Sequence, residues 1–140
     1  MASADELRQA IATNRQTFTD AVRAAADKWT SGDDAGWSPR KMAEHCIARD
    51  EELTAMTVGA LAGSRVTDSI TRSFATAADA LSALDAGAKA SDDAYQNVAD
   101  IDLHAPAPLQ NTDPYNSNIG SVMKRAAWHL KDHAHQLDKA

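Results

Sequence analysis

The sequence predicts an all-α protein, an antiparallel four-helix bundle, and three observations carry that prediction. Thirty alanines stand against ten Val and Ile combined, a balance that favours helix over strand. Apolar residues recur at three- and four-residue steps along four successive segments. Three of the four prolines, Pro106, Pro108 and Pro114, fall in one stretch, and the fourth, Pro39, sits where a helix begins. The 140 residues suit one domain spanning 1–140.

The first helix opens with Ser3 and Glu6 in capping-box spacing. Leu7, Ile11, Phe18, Val22, Ala25 and Trp29 mark its inner stripe. SGDDAGW, with two glycines and two aspartates, is a turn. The second helix starts at Ser38-Pro39, an N-cap followed by proline, and runs to the region of Gly63. Met42, Cys46, Leu53, Met56 and Ala60 form its stripe. GSRVTDS is a weaker connection, and the third helix is expected from near Thr71, with Phe74, Ala78, Leu81, Leu84 and Ala88 inward, fading around Val98. LHAPAPLQNTDPYNSN follows, long enough to suggest a crossover or a lid. It is expected to be a structural connection at the end of the bundle away from His45, His129 and His133. SGDDAGW, through Asp33, Asp34 and Trp37, is expected to form the rim of the site at those histidines. The fourth helix starts near Ser117 and carries Ile119, Val122, Met123, Ala126, Leu130 and Leu137. Trp29, Trp37 and Trp128 read as core or bundle-end aromatics.

Several function classes drop out. A formal net charge of -6 disfavours nucleic acid and anionic membranes as main partners. No apolar run approaches the ~20 residues that span a bilayer. MASADELRQ lacks the basic and apolar parts of a secretory signal. Cys46 is the lone cysteine, which rules out an internal disulfide framework. These features lead to the expectation of a cytoplasmic protein. No glycine-rich phosphate loop, GxSxG or Ser/His/Asp order is present.

Chemistry concentrates in WHLKDHAHQL, which holds His129, His133 and His135. His129 and His133 are four positions apart, so they project about 40° from one another on a helix, one turn apart. His135 lies roughly 200° round from His133 and reads as a solvated surface residue. The pair borders the stripe of Ala126, Leu130 and Leu137, so it faces the bundle near its edge. Two adjacent imidazoles repel if both are charged, and a shared cation removes the conflict. His45, at the edge of the second helix's stripe, offers a third ligand. Three imidazoles with open positions describe a catalytic rather than a structural zinc-type site. HLKDH is not HExxH, because Leu130 stands where a zinc protease keeps its general base. His104 reads as an exposed loop residue and Cys46 as a small core residue.

GWSPRKMAEHCIARDEE, with Trp37, Ser38, Pro39 and His45, resembles the signature opening the second helix of the DinB-like (YfiT-like) metalloprotein superfamily. These are small bacterial four-helix bundles, unrelated to the polymerase that shares the DinB name. WHLKDHAHQL supplies the second half of the pattern through His129, His133, Gln136 and Leu137. The resemblance spans essentially the whole chain, and departs from the pattern at Asp50, where glutamate is common. It implies a metal site of His45, His129 and His133 for a divalent transition metal, zinc or nickel foremost, manganese or iron next. It also implies a small-molecule substrate, with a low-molecular-weight thiol such as mycothiol or bacillithiol as the precedent. The expected function is then a thiol-dependent S-transferase or isomerase, or a hydrolase. The alternative is a non-catalytic bundle, alone or as a homodimer, whose histidines bind metal without turnover or are satisfied by hydrogen bonds.

Overall fold

The computed structural model describes residues 2–107 and 117–139. Its four helices are α1 (Ala4–Ala24), α2 (Pro39–Leu61), α3 (Ala77–Tyr95) and α4 (Ile119–Asp138), and among the described residues there is no strand. Short 3-10 turns cover Ala26–Lys28 and Asp100–His104.

Each helix begins where a short polar side chain takes up a free backbone N–H. Ser3 accepts from the Glu6 N–H at 3.1 Å, while the Ser3 N–H donates to the Glu6 carboxylate. Ser38 accepts from Lys41 at 3.1 Å, with Pro39 in the first turn. Thr76 caps α3 through the Asp79 N–H at 3.2 Å, and Asn118 caps α4 through Ser121 at 2.8 Å. The Thr76 cap corrects the expected start near Thr71. Phe74 is buried as foreseen, but it precedes the helix, and Ala78 faces out.

Contacts between the helices fix their directions. Asn14 donates to the Ala127 carbonyl at 2.9 Å, and Ala4 shares a cluster with Ile119 while Val22 shares one with Ala134, so α1 and α4 run parallel. Arg15 reaches Ser91, and Arg8 reaches the Tyr95 and Val98 carbonyls, which sets α3 antiparallel to α1. Ala43 lies in the cluster of Ala77 and Leu137, and Met56 in that of Tyr95 and Val122. Therefore α2 is parallel to α3 and antiparallel to α4. The order is up, down, down, up, which corrects the alternating antiparallel order that short connections would give.

Parallel α2 and α3 require the chain to return along the bundle. Residues 62–76 do so beside α2, in three steps anchored on its glutamates. The Ile70 N–H donates to Glu52 at 2.8 Å, Arg72 grips both carboxylate oxygens of Glu51, and the Phe74 N–H donates to Glu44 at 2.8 Å. The return starts against Gly59, where an added Cβ would come within 2.5 Å of Val66.

Two apolar clusters are stacked along the bundle. One holds Phe18, Val22, Ile47, Leu84 and Leu130, the other Ile11, Leu53, Tyr95, Val122 and Met123. Between them lies a polar layer in which Arg15 pairs with Asp50 and donates to Ser91 at 3.1 Å. Arg15 and Asp50 are each 5% exposed. Burial pushes the Asp50 carboxyl above its ordinary range, with Arg15 opposing. Of the three tryptophans only Trp29 is core. Trp37 and Trp128 are each 61% exposed, so the expectation of packed aromatics fails for Trp128, on the outer face of α4.

Removing one member of this pair should strand a buried charge. Arg15→Leu is expected to lower unfolding free energy by about 3–5 kcal/mol in urea titrations. The double variant Arg15→Leu/Asp50→Leu should recover most of that loss. Additive losses would show that the layer contributes through shape and not through charge pairing.

Candidate metal centre

Three histidines meet at the end of the bundle where α1 turns into α2. His45 lies in the second turn of α2, and His129 and His133 in the latter half of α4. Antiparallel packing of those helices brings them level. His129 Nε2 lies 3.3 Å from His45 Nε2 and 3.1 Å from His133 Nε2. One ligand nitrogen from each ring lies within 4.8 Å of the other two. For metal–nitrogen bonds of ~2.1 Å, neighbouring donors stand about 3.0 Å apart at right angles and about 3.4 Å apart in a tetrahedron. The 3.1 and 3.3 Å edges fall between these values.

The outer nitrogens are already engaged. His133 Nδ1 lies 2.7 Å from Gln136 Oε1, which accepts, so the proton sits on Nδ1 and the Nε2 lone pair faces the cluster. His129 Nδ1 lies 3.8 Å from the buried Cys46 sulfur, a weak contact. Burial pushes the Cys46 thiol well up, with Asp50 adding to the effect, so it stays protonated and serves as packing. Trp37 meets the His45 ring edge-on, with centroids 5.4 Å apart.

Burial, then the neighbouring His133 and His45, then Arg125 and Arg49 lower the His129 pKa to about 3. Burial, His133 and Arg49 lower that of His45, with Glu52 opposing. Both rings are therefore neutral donors near neutral pH. The donor set fits a divalent transition metal: three convergent imidazole nitrogens, with a fixed tautomer at His133.

A cavity of about 430 Å³ opens beside His45 and His129, walled by α2, α4 and residues 69–72 of the return segment. Nothing in the residues announces that wall, since GSRVTDS reads as a plain connection. The helix 1–2 turn, the expected rim, sets Trp37 against His45 and does not line this cavity. Its Asp33 is occupied with Ser38, Arg40 and Lys41 and has a structural part. His135 is exposed, as the helical wheel requires. His104 is exposed at the opposite end, in the 3-10 turn whose Asp100 accepts from the Ala4 N–H at 2.8 Å. The long proline-containing connection leaves from that same end. Its described ends pair through Ala107 with Ser117 and Ile119 with Ala105. Residues 108–116 lie outside the described residues, so the expected separation of that loop from the histidines applies to its ends alone.

Fold and site together define a helical bundle with a three-histidine cluster near one end. No family model, curated protein or solved structure matches the chain.

The lowered histidines bear on acid stability. In metal-free protein, unfolded imidazoles take up protons below their ordinary 6.5, while folded His129 resists until about 3. The unfolded state binds more protons in that window, so stability should rise with pH from about 3 to 6.5 and then level. Urea midpoints at pH 4.5 and 7 should differ less in His129→Asn than in the parent chain. An equal difference would mean that the cluster carries no such burden.

Proposed function

We propose that the chain is a metal-dependent enzyme of the DinB-like bundle class. In this reading His45, His129 and His133 hold one divalent transition metal, zinc or nickel foremost. The observation that carries it is the convergence of three Nε2 atoms, two edges at 3.1 and 3.3 Å, beside a cavity sized for a small molecule. A purely structural cluster has no need of such a cavity.

An ion bound there supplies Lewis acidity, lowering the pKa of a coordinated water or thiol so that a nucleophile exists at neutral pH. The chain's own residues supply orientation and exclusion. Gln136 holds the His133 ring in its donor tautomer, and Cys46 packs against the His129 ring. Trp37 covers one side of His45, which limits how water approaches from the turn. The return segment closes the flank of the cavity and leaves its mouth open. This arrangement suits transfer or isomerisation with a low-molecular-weight thiol, and hydrolysis equally.

Protein purified without a histidine tag should contain about one transition-metal ion per chain by elemental analysis. His133→Ala should abolish that content, whereas His135→Ala should retain it. Cobalt(II) added to metal-free protein should quench Trp37 emission, with loss of the effect in Trp37→Leu at unchanged cobalt binding. Equal metal loss in both histidine variants would sink the assignment of ligands. Full occupancy without turnover of any thiol adduct or ester would favour the non-catalytic alternative.

A further inference from the structure

The cavity beside the histidines carries charge that metal binding does not use. Arg49 stands four residues after His45 on α2, and Arg125 four residues before His129 on α4. Because these helices are antiparallel, both spacings step the same way along the bundle. The two arginines therefore line the cavity about one turn away from the histidines, one on each wall. Their charge is felt at the cluster, since both oppose protonation of His129.

The acidic groups of the lining are already committed. Glu44 accepts from Arg40 and from the Phe74 N–H. Glu52 accepts from one Arg49 nitrogen at 2.9 Å and from the Ile70 N–H. Arg72 is held by Glu51. Among the described residues, no carboxylate lies within ion-pair distance of Arg125, which is exposed to the cavity. Arg49 is nearly buried, at 9% exposure, and gives Glu52 a single nitrogen of its fork. In a chain of net charge -6, an arginine with no carboxylate partner on a concave wall, facing a second whose fork is only partly used by Glu52, is informative.

We propose that this cavity receives a small anionic substrate, whose carboxylate or phosphate is held by Arg125 with Arg49 while its reacting end lies against the three histidines. The guanidinium fork matches either oxyanion through paired N–H donors. Ser69 and Thr71, on the return segment, add hydroxyls across the same space. The position of the reacting end rests on the metal reading above. The anion seat does not, because its arginines belong to the metal-free chain.

Two titrations separate these parts. Metal-free protein is titrated with succinate and with inorganic phosphate, following amide shifts around Arg125 and His129. Arg125→Gln should weaken binding about tenfold, while Lys131→Gln, on exposed α4 surface, should leave it unchanged. The tighter of the two anions assigns the head group. Cobalt-loaded protein is then titrated with 3-mercaptopropionate and with the neutral 3-mercapto-1-propanol. The charged thiol should bind about tenfold tighter, and that preference should fall below about twofold in Arg125→Gln. Arg125→Gln that still binds cobalt is folded, so its result counts. Anions that bind wild type and Arg125→Gln alike, or not at all, overturn the proposal. Equal affinity for the two thiols on bound cobalt overturns it too. Failure of cobalt to bind, with the anion titration as expected, sinks the metal reading and leaves the anion seat standing.

Discussion

Two neighbouring helices that point the same way cannot be joined by a tight turn, and this constraint shapes the whole molecule. Between parallel α2 and α3 the chain must climb the length of the bundle again. It has to spend that distance somewhere, and it spends it along α2, on the side that carries His45. Glu44, Glu51 and Glu52 provide the holds, accepting hydrogen bonds from Phe74, Arg72 and Ile70. A connection that looks incidental in the sequence thereby becomes a wall of the cavity. The same topology leaves the α3–α4 connection at the far end, where Ala105 accepts from Ile119.

The histidine cluster also depends on register between α2 and α4. Four residues of α2 turn it by about 40°, so a slip of one turn would carry His45 some 5 Å along the helix and out of reach of its partners. Small residues at the contact, Ala43 and Cys46 against Leu130 and Ala134, permit close approach without specifying it. Specification comes from the polar layer. Arg15 reaches Asp50 and Ser91 together at one alignment of α1, α2 and α3, and any slip leaves charge buried without its partner. Asp50, four residues beyond Cys46, thus aligns the helix that presents His45 and does not itself reach the histidine cluster.

Much of this was legible in the residues. Ser3, Ser38 and the apolar spacing located three helices, because caps and periodicity are local properties. The meeting of the three histidines was legible for a related reason: His129 and His133 share a face by their spacing alone, and an antiparallel partner places His45 level with them. Helix direction was not legible. Whether α3 returns or continues depends on long-range packing, and SRVTDSITRS carries no proline or glycine that would have betrayed an extended path. Thr71 to Phe74 fit a helical stripe equally well, until Thr76 takes the Asp79 N–H and starts the helix later. Arg49 and Arg125 escaped notice because arginine is ordinary on any helix surface. Their signal was the repeated four-residue offset from a histidine, which gains meaning only once the helices are known to be antiparallel.

The return segment has one more consequence, for how such a molecule can change over time. The three histidines sit on two helices whose alignment is fixed by a buried layer, while Ser69, Ile70 and Thr71 sit on a strip held by hydrogen bonds to α2. Substitutions on that strip alter the space beside the cluster and leave the histidines untouched. The shape of the cavity and the imidazoles at its end are thereby housed in separate stretches of chain. A lineage built on this plan could reshape what the cavity admits through a handful of residues, keeping the imidazole trio intact.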